Sequence, residues 1–317
     1  MPKFIPFLAV GALLVPFTVP ASATIDRVVE RSFQVQPGAH LKVATSGGEI
    51  RVSSSTDSVV TVTAKEHIRA SSEADADVIL EKLKLSIEQH GNGVEASASY
   101  EDGSFMHFGS WPPVQVDFIV TVPASASVDL KTSGGDIAVG NLDGAVQGHT
   151  SGGEITLGKI GGEVDVSTSG GRVEIEEGRG VVSLSTSGGN ISAGRLAGPA
   201  DLKTSGGDIK IGMAEGTLAA ATSGGSVRAV FKGPLKGDCS LSTSGGEVKV
   251  VVDPSARFHL DASTSGGDVR ADGLTITIAH GGAGKSDLSG DVNGGGAVLR
   301  LRSSGGDIRV KTQVVDS

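Results

Sequence analysis

The tetrapeptide Thr-Ser-Gly-Gly opens at Thr132, Thr150, Thr168, Thr186, Thr204 and Thr222, each eighteen residues after the last. Thr243 and Thr264 follow at steps of twenty-one, with an early copy at Thr45 and an SSGG variant at Ser303. A beat of this length marks a solenoid, in which every repeat forms one coil and buries its apolar side chains only by stacking on its neighbours. A residue type that recurs in every coil serves the stack. A catalytic group would occur once.

The columns around each threonine show how one coil is built. Four residues before it stand Val128, Val146, Val164, Val182, Ala200, Leu218, Cys239, Leu260 and Leu299. Two before it stand Leu130, Val166, Leu184, Leu202 and Leu241, with Gly148 the weak member. Five after it the column runs Ile137, Ile155, Val173, Ile191, Ile209, Val227, Val248, Val269 and Ile308, and seven after it from Val139 to Val310. Apolar positions two apart describe short strands with one buried face. Each coil therefore reads as strand, SGG corner, strand and return turn, the return often being G-x-(Leu/Ile)-x-G as at Gly140, Leu142 and Gly144. Apolar gaps of two, seven and two exclude a left-handed helix of hexapeptides, whose gaps are six. The expected fold is all-β: a parallel β-solenoid, right-handed by the general preference of crossovers, with coils of 18–21 residues.

Residues 1–23 carry Lys3, an apolar stretch and Ala21, Ser22, Ala23, the small-x-small pattern of a signal peptide, so export is expected with a mature chain from Thr24. Pro16 and Pro20 interrupt the apolar run, and no later stretch approaches a membrane span. Charge is mildly acidic, 27 basic against 36 acidic residues, which argues against a nucleic-acid partner. Cys239 is the only cysteine and falls in an apolar column, so it reads as core. The aromatics Phe33, Tyr100, Phe105, Phe108, Trp111 and Phe118 precede Pro123, and only Phe231 and Phe258 follow it. That shift places a boundary near residue 124, dividing a β-rich cap over 24–124, with one short helix over Glu73 to Lys82 capped by Ser71 or Ser72, from a solenoid over 125–317. Between Thr264 and Ser303 lie thirty-nine residues without a TSGG, and residues 274–296 are expected to form a degenerate coil or loop.

This arrangement of leader, β-rich segment and long T-S-G-G-(Asp/Glu)-(Ile/Val) stack resembles the bacterial DUF4097 family of adhesin-like β-strand repeat proteins. The resemblance runs from Gly38-Ala39-His40-Leu41 through Ile119-Val120-Thr121-Val122-Pro123 to Asp307-Ile308-Arg309-Val310. It implies a cell-envelope β-solenoid and carries no catalytic residue over to this chain.

Candidate chemistry is sparse. Ala279 to Ser286, AHGGAGKS, meets the loose nucleotide-loop pattern, but SDLSGDVNGGG after it cannot supply the helix whose amides hold phosphate. The threonine column shares its parity with the inward positions, so its hydroxyls are expected to bond corner backbone rather than form an exposed array. The seven histidines show no metal-ligand spacing, and no cofactor is expected. Phe105, Met106, His107, Phe108 and Trp111 make an apolar loop that either caps the first coil or meets a partner.

Two outward columns stand out. Directly after SGG lie Glu49, Asp136, Glu154, Asp208, Glu247, Asp268 and Asp307, and two residues further on Lys210, Arg228, Lys249, Arg270 and Arg309. These stripes compensate each other's charge on a solvated face, and within them Asp208, Lys210, Arg228, Glu247, Lys249, Asp268 and Arg270 are the expected ligand surface for envelope or extracellular polysaccharide or a surface protein. The expected role is an exported, periplasmic or surface, non-catalytic scaffold or adhesin-like module. The alternatives are a polysaccharide-acting β-helix enzyme and an envelope sensor or assembly factor with a protein partner. An enzyme should break the repeat at one place, and the one break, 274–296, shows no convincing carboxylate pair.

Overall fold

The computed structural model describes residues 24–100, 113–278 and 284–313, and these form two long sheets facing each other. Each coil gives one strand to each sheet. The strand before TSGG joins the leading sheet, as in Val164–Thr168, and the strand after it joins the trailing sheet, as in Val173–Gly178. From Thr132 to Thr243 the coils stack in chain order with parallel pairing, so that Val146 registers with Val164, and Ile155 with Val173. The four apolar columns point between the sheets and form one continuous core. Their exceptions are Val269 and Ala271, half-exposed on the strand that ends the trailing sheet.

The threonine column is the inner seam of the corners. Thr186 is buried; its Oγ1 donates to the carbonyl of Gly171 in the neighbouring coil at 2.8 Å and accepts the N–H of its own Gly189 at 3.2 Å. The same pair of bonds recurs at Thr132, Thr150, Thr168, Thr204, Thr222 and Thr243. A carbonyl of the neighbouring coil and an amide of the same corner are thus both satisfied by one hydroxyl. The second glycine of each motif is required by coil spacing, since a Cβ on Gly189 would overlap the Gly171 carbonyl.

The ends depart from chain order. The first strands are β1 (Thr24–Gln34), β2 (His40–Thr45), β3 (Ile50–Ser55) and β4 (Val59–Arg69), followed by α1 (Glu73–Leu80), β5 (Leu83–His90), β6 (Gly93–Tyr100) and β7 (Val114–Pro123). The helix forms where expected, with the side chain of Ser72 accepting the Asp75 amide. β2 and β3 make the Thr45 coil, which lies between β6–β7 on one side and the Thr132 coil on the other. Both sheets therefore run without interruption across residue 124. β4 and β1 then extend the trailing sheet beyond β7, and β5 extends the leading sheet beyond β6, all antiparallel. Antiparallel edge strands of this kind stop the stack from adding another parallel coil.

The far end repeats the device. The Ser303 coil, Val298–Ser303 and Ile308–Thr312, lies between the Thr243 coil and the Thr264 coil, although it comes last in the chain. Among the described residues of 274–296, expected as a degenerate coil or loop, Ile276–Thr277 pairs antiparallel with Asp287–Val292, which covers the outer edge of Phe258–Thr264. The reason is chemical equivalence: every TSGG coil offers the same register and hydroxyl, so spatial neighbours need not be neighbours in sequence.

Candidate binding surface

The outward face of the trailing sheet carries the two charged columns. Pairing places Lys210 beside Arg228, Arg228 beside Lys249, Lys249 beside Arg309 and Arg309 beside Arg270. Five cations thus stand in unbroken succession at about 4.8 Å per step. Intercalation of the Ser303 coil puts Arg309 fourth in this row, between two members of the expected surface, Lys249 and Arg270. Sequence order had placed it at the end, and only the pairing of Ser303 between Thr243 and Thr264 reveals its position.

The acidic column has a backbone role first. Asp208 Oδ1 accepts the Ser226 amide at 2.7 Å, Asn190 Oδ1 accepts the Asp208 amide at 2.8 Å, and Asp307 Oδ1 accepts the Asp268 amide at 3.0 Å. That amide, together with Arg309, holds the Asp307 carboxyl below its ordinary range. Three cations are matched by the acid two residues before them: Lys249 by Glu247, Arg309 by Asp307 at 2.9 Å and Arg270 by Asp268 at 3.1 Å. The Lys249 bond is the main reason the Glu247 carboxyl lies below its usual value. Exposed pairs of this kind add little stability.

Lys210 and Arg228 differ. Arg228 has Ser226 two residues before it, where Lys249, Arg309 and Arg270 have an acid, and Asp208 holds the Ser226 amide through Oδ1 without reaching Lys210. Neither cation makes an ion pair among the described residues. Small side chains at Ser192 and Ser226 leave a shallow groove of about 300 Å³ there, edged by Asn190, Asp208, Lys210 and Arg228. A second groove of about 200 Å³ continues over Val250 and Val251 to Arg309 and Lys311. Arg309 Nε is buried and has no acceptor among the described residues. The face can hold an anionic group at Lys210 and Arg228 and hydroxyls along the adjacent serines.

Of the other motifs, the nucleotide-loop candidate falls partly on residues outside the described set, and the segment after it is the strand Asp287–Val292 rather than a helix. The aromatic loop and the leader also lie outside the described residues. Cys239 is buried in its apolar column, and burial raises its thiol pKa. No helix among the described residues is long and apolar enough to cross a membrane.

These features define a two-sheeted parallel β-solenoid with intercalated ends and a charged lateral face. The chain belongs to the Toastrack DUF4097 family, whose model matches residues 38–311. It is similar to crystal structures described as a "putative adhesin" from Parabacteroides merdae ATCC 43184 and a "putative lipid binding protein" from Parabacteroides distasonis ATCC 8503. The first is 11% identical, with a TM-score of 0.47 over 90% of this chain and 96% of the other. The second is 12% identical, with a TM-score of 0.45 over 89% of this chain and 96% of the other. No curated protein matches the chain. The family rests on the match over residues 38–311 alone.

Proposed function

We propose that this protein is an exported, adhesin-like binding module of the cell envelope that takes up acidic polysaccharide on its trailing-sheet face. The observation that carries this reading is the row Lys210, Arg228, Lys249, Arg309, Arg270, with its first two cations left without acidic partners among the described residues. A polymer lying along the solenoid axis meets one cation per coil. Shallow grooves with serine hydroxyls suit a sugar chain better than a compact metabolite. The leader pattern in residues 1–23 supports export. The residue types that recur from coil to coil serve the stack.

The test is co-sedimentation of residues 24–317 with acidic and neutral envelope polysaccharides, at low and high salt. Binding to the acidic polymers is expected, weakened by salt and reduced at least about tenfold by K210E/R228E. Equal binding by that variant would remove the site, and binding to no polysaccharide would leave a protein partner as the reading.

A further inference from the structure

The antiparallel strand in the break of the repeat creates a constellation found in no regular coil. Asp287–Val292 runs antiparallel to Phe258–Thr264, so that His259 faces Asp291 and Asp261 faces Ser289. Leu260 and Val292 are buried inward, which turns His259, Ser289 and Asp291 to the outer face of the leading sheet. His259 Nδ1 lies 2.7 Å from Asp291 Oδ1, and its Nε2 lies 3.3 Å from Ser289 Oγ. A carboxylate only accepts, so Nδ1 carries the proton donated to Asp291, and Nε2 of the neutral ring is left to accept from the serine hydroxyl. These are the relations of nucleophile, general base and orienting acid. His40 and His149 also meet serines, but through Nδ1 and without a carboxylate on the other nitrogen among the described residues.

A second observation leads to the same place. A groove of about 380 Å³ runs along this outer face from Val181 over Pro199 and Ala219 to Val298 and Arg300. Val298 registers with His259 and Arg300 with Asp261, and His259 and Asp261 pair in turn with Asp291 and Ser289, so the groove ends two strand steps, about 10 Å, from Ser289 along the row it shares with Arg300. Its bed carries small side chains, Ser183, Ala219 and Ser240, and Asp201, which lines it, holds a buried Oδ1 without a donor among the described residues. An acceptor left open in such a groove is matched by a ligand hydroxyl. Arg300 donates through Nε to Asp261 Oδ2 at 3.3 Å, and among the described residues its terminal nitrogens make no hydrogen bond.

We propose that Ser289, His259 and Asp291 form an esterolytic centre that removes acyl groups from an O-acylated glycan lying in this groove. Ser289 Oγ attacks the ester carbonyl while His259 Nε2 takes its proton. The tetrahedral oxyanion is assigned to Arg300, whose side chain can turn back along the row it shares with Asp261 and Ser289. The carbonyl-to-sugar-oxygen bond breaks, and His259 returns the proton to the departing hydroxyl. Water, deprotonated by the same nitrogen, then cleaves the acyl-serine, giving a carboxylic acid and free Ser289. This activity goes beyond polysaccharide uptake and uses the opposite sheet, so the two can fail separately.

The experiment treats residues 24–317 with a fluorophosphonate probe, maps the adduct by mass spectrometry, and follows acetate release from an aryl acetate and from an O-acetylated glycan. The adduct is expected on Ser289 and absent in Ser289→Ala. His259→Gln should slow labelling at least about a hundredfold and flatten its rise with pH, and Asp291→Asn should slow it while leaving the melting transition in place. An adduct absent from Ser289, labelling indifferent to His259→Gln, or a glycan that keeps its acyl groups would each overturn the proposal. The K210E/R228E protein should label like the wild type, which separates this centre from the trailing-sheet surface.

Discussion

The hydroxyl of Ser303 donates to the carbonyl of Gly246 at 3.0 Å across a separation of 57 residues, occupying the place that Thr264 would take in a stack built in chain order. Thr264 in turn donates to Gly306 at 2.8 Å. The seam therefore reads Thr243, Ser303, Thr264, and its one serine is the weakest member. Serine supplies the hydroxyl and lacks the buried methyl. Ser303→Thr should stabilise the protein by about 0.8 kcal/mol, seen as a raised urea midpoint with an unchanged slope.

The seam itself can be tested at Thr186. Thr186→Val keeps the shape and removes the hydroxyl, leaving the buried Gly171 carbonyl and the part-buried Gly189 amide without that partner. A loss of about 1–3 kcal/mol is expected in chemical denaturation. Thr186→Ser, which keeps both bonds, should cost only the methyl, about 0.8 kcal/mol. Equal losses in the two variants would show that packing rather than hydrogen bonding dominates.

Adjacent glycines of one motif should respond oppositely to alanine. A Cβ on Gly188 would stand 3.5 Å from the Gly170 carbonyl oxygen, an ordinary contact, whereas on Gly189 it would overlap Gly171. Gly188→Ala is expected to change stability by under about 1 kcal/mol, and Gly189→Ala to lower it by about 3 kcal/mol or more, because two coils must part. Thermal melts of the two single variants decide this.

At the first end, His67 is held between Asp26, 2.8 Å from Nδ1, and Asp117, 3.1 Å from Nε2. The Asp26 bond, reinforced by the Asp117 charge, raises its pKa. The folded state therefore prefers the imidazolium. Its contribution is complete below about pH 6.5 and is lost as pH rises through the higher folded value. Hydrogen-exchange protection of β1 should fall over that interval, and His67→Gln should remove the dependence. The Asp261 carboxyl, lowered chiefly by Arg302, acts in the opposite direction and only in acid, below about pH 4.

Much of this was legible in the sequence, and the limit is instructive. Columns such as Ile191 and Leu184 announced their burial because a period of two leaves one face no alternative, and Thr186 inherited its direction from them. The order of the coils was hidden, since Thr264 and Ser303 carry interchangeable signals and nothing local states which one meets Thr243. Arg309 was visible as a basic residue, but its seat between Lys249 and Arg270 depends on that hidden order. The relation of His259 to Ser289 and Asp291 was equally invisible, because it arises from an antiparallel pairing across 30 and 32 residues between the Thr264 coil and the segment that broke the pattern. The alternation Ser289-x-Asp291 beside a strand carrying His259 was the one available signal.

A stacked repeat ordinarily unravels from its ends, where the outermost coil grips a single neighbour. Here Ser303 lies in a coil flanked on both sides, so tension entering near Thr312 meets two ladders before that coil can leave. Pulling on Thr312 would load the strand Ile308–Thr312 against Val248–Val252 and Val269–Asp272 together. The solenoid is in this respect a mechanical fastener, resisting the peeling force that would open a simple stack like a zip.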